Sequence, residues 1–140
     1  MSHQKIYMPV SQIPAGMVVR VNCGLYDHLA LMGDSMINGE RTVLSFSARH
    51  QGLAEVPFSA FAENKQVKVD GHLGTLHPNV VLERARLKKG HPYCLMTFNC
   101  EHFIRYAHAV QVESPQVTQW MLLLKGLGVL FALSRALTLS

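Results

Sequence analysis

The sequence predicts an α+β fold: a small antiparallel β-sheet packed on helices, followed by an apolar C-terminal helix. Three observations predict it. Short Val- and Leu-rich runs broken by Gly crowd the stretch from Met17 to Asp70, and strands so close in sequence pair antiparallel. Helical patterns with recognisable starts and stops follow from Pro78. The final stretch, Trp120 to Leu139, is apolar nearly all round.

The elements follow in order. Met17–Cys23 is Val-rich and preceded by Pro14-Ala15-Gly16, so it reads as a strand that Gly24 interrupts. His28–Met32 is the second strand, stopped by Gly33-Asp34. Arg41–Ser47 is the third, with Val43, Leu44 and Phe46. Gly52 breaks the chain before a short strand, Leu53–Val56. Pro57 to Asn64 fits one or two helical turns with Pro57 at the start, and Val67–Asp70 is a last short strand.

Pro78 to Lys89 carries apolar Val81, Leu82 and Ala85, basic residues in its last turn, and Gly90 as its stop. Asn99 can cap a helix running from Cys100 to Val110, with Phe103, Ala107 and Val110 as its apolar stripe. In the segment from Trp120 only Lys125 and Arg135 are charged, and the polar residues do not gather on one side. Such a helix is expected in a membrane or at its surface, with core or oligomer packing as the alternative. Lys125 within a bilayer would cost roughly 2.5–3.5 kcal/mol unless it snorkels.

The 140 residues suffice for one core. Hydrophobic residues make up 49% and charged residues only 16%, which excludes a disordered chain. The net charge of +4 comes without a dense basic tract or a nucleic-acid motif, so no nucleic-acid partner is expected. The cluster Arg84, Arg86, Lys88 and Lys89 reads as the solvated face and C-terminal end of a helix. Three cysteines, an odd count, do not suggest a disulfide framework. A start without an apolar signal-peptide core points to a cytoplasmic location, compatible with membrane association through the C-terminal helix.

The chemistry concentrates at Cys100. In the first turn of a helix, the dipole and free backbone N–H groups favour a thiolate, the nucleophilic form. A nucleophilic cysteine needs a base, normally His, and often a polar group to orient it. Strand alternation puts His28 on one face with Ala30 and Met32. In the next strand Val43, Ser45 and Ser47 share a face, so Ser45 can stand beside His28 if the strands pair in that register. The spacing of Cys94, Cys100, His102 and His108 does not match a zinc pattern, so neither metal nor cofactor is expected. His50, His72, His77 and His91 lie beside Gly or Pro, in segments that read as exposed loops.

The pentapeptide Asn99-Cys100-Glu101-His102-Phe103 resembles the active-site signature of the lecithin:retinol acyltransferase-like family, a permuted NlpC-type branch of the papain-like fold. The stretch from Gly24 to Asp34, with Asp27-His28-Leu29-Ala30, is similar to the family strand that bears the base. Glu113 to Val117 resembles the segment after the active-site helix. The resemblance covers Ala15 to Val117 and implies that Cys100 is the nucleophile and His28 the base. Many members carry a second His where this chain has Ser45. The turn from Ser35 to Thr42 reads as longer than usual, which leaves Asn38 and Ser47 as alternatives for that position.

The resemblance implies a catalytic domain over residues 1–116 and an apolar, membrane-associating helix over 117–140. It implies acyl transfer or phospholipase action through an acyl-thioester on Cys100. The expected partners are a phospholipid or other acyl-ester substrate and a membrane met through the C-terminal helix. Tyr26 and Phe98 lie near both segments, where buried packing is the expected role and an acyl groove the alternative. A cysteine peptidase or amidase with the same pair, and a catalytically weak membrane-associated binding module, are the competing readings.

Overall fold

Alternation along five short strands gives the sheet two apolar faces, and different helices cover each. In the computed structural model, which describes residues 8–110, 116, 117, 119 and 121–125, the strands are β1 (Val18–Asn22), β2 (Asp27–Ile37), β3 (Glu40–Ser47), β4 (Gly52–Pro57) and β5 (Val67–Gly71). They form one antiparallel sheet in the order β4-β3-β2-β1-β5. Leu29, Leu31, Leu44 and Phe46 face α2 (Pro78–Arg86) and α3 (Cys100–Ala107). Val19, Val21, Ala30, Met32 and Val43 face the other way and pack with Phe61 of α1 (Phe58–Ala62) and with Ile13. The central strands are therefore buried on both sides, which matches their near-continuous apolar runs.

Strand β2 is longer than its sequence suggests. It does not stop at Gly33-Asp34 but runs to Ile37, and the hairpin closes on only Asn38 and Gly39. Both have positive φ, 50° and 78°, as a type I′ turn requires. The glycine at 33 marks a bulge rather than an end. Gly33, Asp34 and Ser35 stand opposite Thr42 alone, between the pairs Met32↔Val43 and Met36↔Arg41. A Cβ at Gly33 would lie 2.8 Å from the Thr42 carbonyl oxygen, so only glycine fits.

Helix α2 begins with Pro78 after His77, whose ring Nδ1 accepts the Asn79 N–H at 3.2 Å. Its basic end is less solvated than expected. Arg84 donates to the Tyr106 carbonyl and lies 4.6 Å from the Tyr106 ring centre. Arg86 pairs with Asp34 and Glu55, and Lys88 sits 4.3 Å from the Tyr106 ring centre. These cations fasten α2 to α3 and to the sheet.

Helix α3 ends at Ala107, short of Val110. Ala109 turns left-handed at φ 54°, the Val110 N–H returns to the Arg105 carbonyl, and the Ala109 N–H returns to Tyr106. That is a Schellman stop with alanine where glycine is usual. His72 and His91 are half-buried rather than exposed, His72 edge-on to His108 and His91 tilted against Phe98.

The apolar helix expected over 117–140 lies mostly outside the described residues. Those described after Gln116 have helical backbone, and Met121 to Leu124 are exposed. Among the described residues no helix is long and apolar enough to cross a membrane.

Candidate active site

Asn99 shapes the start of α3. Its Oδ1 accepts the Glu101 N–H at 2.9 Å and the His102 N–H at 3.3 Å, while His102 Nδ1 accepts the Asn99 N–H at 3.1 Å. This reciprocal cap occupies both partners, so the histidine of the pentapeptide holds the helix start. Cys100 is thereby placed in the first turn, 6% exposed, within the core between α3 and the sheet.

Burial, not the helix dipole, dominates the thiol. It pushes the Cys100 pKa up to about 11, and the Glu101 charge adds to that. The N–H groups of Leu29, Glu101 and Cys100 itself pull the other way without prevailing. The resting group is a protonated thiol held against the Leu29 amide, not the thiolate that position alone suggested.

His28 sits one residue before that amide. On its strand it shares the face of Ala30 and Val21, away from α3, and its ring lies 5.5 Å from Phe61, centre to centre. Its Nε2 is 2.9 Å from the Ser45 hydroxyl, and Ser45 is 3% exposed. Ala30 is the residue directly opposite Ser45, so His28 reaches it diagonally across the pair. Asn38 is in the turn, and the hydrogen bond of His28 goes to Ser45 rather than to Ser47. Burial lowers the His28 pKa; the Glu63 charge opposes this, while His50 and Lys65 reinforce it. The ring is neutral at neutral pH and available to accept a proton.

A cleft of about 460 Å³ opens on this face. Tyr26, His28, Ser45, Phe61, Lys65 and Tyr93 are among the residues lining it. Tyr26 is exposed and lines the cleft, whereas Phe98 is buried in the core. Tyr93 had no sequence signal; the loop that carries it is set by backbone pairing of Cys94 with Phe98. Burial pushes the Tyr93 phenol up to about 12, with the Cys100 sulfur next in effect. Cys100 is not among the residues lining the cleft, and no hydrogen bond among the described residues joins its thiol to His28. The structure brings His28 to Ser45, and brings Cys100 to the peptide that follows His28.

The three cysteines are free thiols, Cys94 exposed and Cys23 half-buried beside Lys65 Nζ at 3.8 Å. His108 donates its Nε2–H to the Gly16 carbonyl, 2.9 Å away, so it serves the fold.

A buried thiol at a capped helix start, beside the strand of a neutral histidine, has the components of a thiol enzyme. The family model for lecithin retinol acyltransferase matches residues 11–112, well over half of the chain. The chain therefore belongs to the lecithin retinol acyltransferase family, and with it to thiol acyltransferases and related hydrolases in general. The match encloses His28, Ser45 and Cys100. No curated protein and no solved structure matches the chain.

Proposed function

We propose that this protein is a cysteine-dependent acyltransferase or phospholipase that carries its acyl group as a thioester on Cys100 and works on lipid esters at a membrane. The observation that carries the reading is the contact of the Cys100 thiol with the Leu29 amide, one residue from a neutral His28 whose Nε2 is bonded to Ser45. The order of His28 before Cys100, and a sheet beneath the capped helix, fit a circularly permuted papain-like arrangement of the NlpC type.

With Nε2–H donated to Ser45, the His28 Nδ1 keeps a lone pair and is the base. Both partners start neutral, so proton transfer accompanies attack. The sulfur bonds to the ester carbonyl carbon and passes its proton to Nδ1. The Glu101 and His102 amides are occupied by Asn99. The amides of Leu29 and Cys100 remain beside the sulfur to hold the oxyanion. Collapse breaks the C–O bond, and the leaving alcohol takes the proton from His28. An alcohol, amine or water then gives a proton to His28 and attacks the thioester; the C–S bond breaks, and the leaving sulfur takes that proton back from His28, which restores the neutral pair.

The cleft supports a lipid substrate. Tyr26, Phe61 and Tyr93 offer apolar walls, and Arg49 and Lys65 put cationic groups on its lining beside Glu63. The exposed run Met121–Leu124 and the apolar stretch to Leu139 support attachment to a membrane.

The test traps the intermediate. Incubation with a phospholipid labelled in its acyl chain should place hydroxylamine-sensitive label on Cys100, lost in Cys100→Ala. Label that persists in Cys100→Ala overturns the reading. Label from acyl amides but not from esters moves it to an amidase.

A further inference from the structure

Gln116 lies outside the five-residue signature, yet its side chain touches the neighbours of both reactive residues. Its Oε1 accepts the Asp27 N–H at 3.2 Å. Its Nε2 donates to the Asp27 carbonyl at 3.3 Å and to Glu101 Oε1 at 2.5 Å. Asp27 immediately precedes His28, and Glu101 immediately follows Cys100. Glu101 is 6% exposed and pairs with no cation among the described residues.

The two anchors differ in what else holds them. The Asp27 carboxylate is gripped within the sheet by Arg20 at 2.8 Å and Asn22 at 3.0 Å. Those bonds fix the start of β2 sideways and do nothing toward α3. Across that gap, beside the apolar packing of Leu29 and Leu31 on α3, the polar contacts among the described residues are the thiol on the Leu29 amide and the Gln116 amide. Only a primary amide of this length serves, because the Asp27 N–H needs an acceptor while Glu101 needs a donor.

We infer that Gln116 is a positioning residue, a clip that sets the distance between the helix start bearing Cys100 and the strand start bearing His28. The inference rests on the Cys100–His28 reading above. An unclipped helix start drifts from the strand, and misplacement on the order of 1 Å can cost about a hundredfold in rate. Glu101 supplies the buried acceptor and Asp27 the backbone handle.

The test reads Cys100 directly, without a substrate. Alkylation of Cys100 by iodoacetamide is followed by peptide mass spectrometry across pH, in the full chain, with melting temperature recorded for each variant. Gln116→Ala should slow alkylation near neutral pH about tenfold or more and shift its pH profile. Gln116→Glu sets two carboxylates together and should do the same. The exchanged pair, Glu101→Gln with Gln116→Glu, restores an amide donor to a carboxylate and still offers the Asp27 N–H an acceptor. It should recover most of the wild-type profile, which a loss of general stability would not predict. An unchanged profile in Gln116→Ala, with His28→Ala altered, overturns the clip and leaves the pair standing. Profiles unchanged in both variants overturn the pair and the clip together. Failure of the exchanged pair to recover reactivity at an unchanged melting temperature overturns the clip alone.

Discussion

His28 Nε2 and Ser45 Oγ meet at 2.9 Å because of two extra residues in β2. Near the turn the pairs are Ile37↔Glu40 and Met36↔Arg41; continued without a bulge, that register would set Ser45 opposite Met32. The bulge over Gly33, Asp34 and Ser35 moves Ser45 to Ala30, two positions closer to His28. The displacement is even, so inward and outward faces are preserved while the neighbour of the histidine changes.

Gly33→Ala is expected to destabilise the fold by roughly 1–3 kcal/mol, since the new Cβ meets the Thr42 carbonyl and backbone must move. The same shift should loosen Ser45 from His28 and lower acyl-enzyme formation in protein that remains folded. Urea unfolding and single-turnover labelling read the two effects; full stability with full activity would show that the bulge does not set this contact.

Ser45→Ala removes one neutral hydrogen bond, worth about 0.5–1.5 kcal/mol, so the rate should fall by no more than about tenfold. His28→Ala removes the base and should cost about 10²–10⁴-fold. Comparable losses from the two variants would mean that Ser45 does more than orient the ring.

The acid limb of activity should lie below 6.5, the ordinary histidine value, because burial lowers the His28 pKa. Neutral His28 is the acceptor, so the rate is held above that lowered value and is lost as pH falls through it. Alkylation of Cys100 should still be rising above pH 9, since its thiol is pushed up to about 11. A midpoint above 6.5 in the rate profile, or an alkylation plateau near neutrality, contradicts these expectations.

Stability has its own histidine dependence. Burial lowers the folded-state pKa of His28, His102 and His108 alike. Between those lowered values and 6.5 the unfolded chain binds more protons than the folded one. The stability contribution is therefore complete above the unfolded value and is lost as pH falls through that window. Melting temperatures measured from pH 7 to 5 should decline, and a flat profile would argue against it.

Ala109 is exposed and left-handed at φ 54°. The left-handed conformation costs a non-glycine residue roughly 1–2 kcal/mol, partly offset by the freedom glycine adds to the unfolded chain. Ala109→Gly should stabilise by about 0.5–1 kcal/mol, read as a higher denaturant midpoint at constant slope. A lower midpoint would show that the methyl group contributes to the helix end.

Much of the fold was legible because its signals are local. Alternation placed His28, Ala30 and Met32 on one face, Asn99 announced the helix that presents Cys100, and Pro78 and Gly90 bracketed the segment containing α2. Each depends on residues a few positions apart. Gly33 misled for the same reason: a glycine read alone looks like a stop, and only its closeness to Thr42 reveals a bulge.

By itself the sequence determined the order of strands and helices along the chain, the capped position of Cys100 and the face of His28. The tertiary structure alone decided the register that selects Ser45, the burial that keeps Cys100 a thiol, and the Gln116 bridge between residues 89 and 15 positions away. Strand register and desolvation sum contacts between distant segments, and no neighbour along the chain encodes that sum.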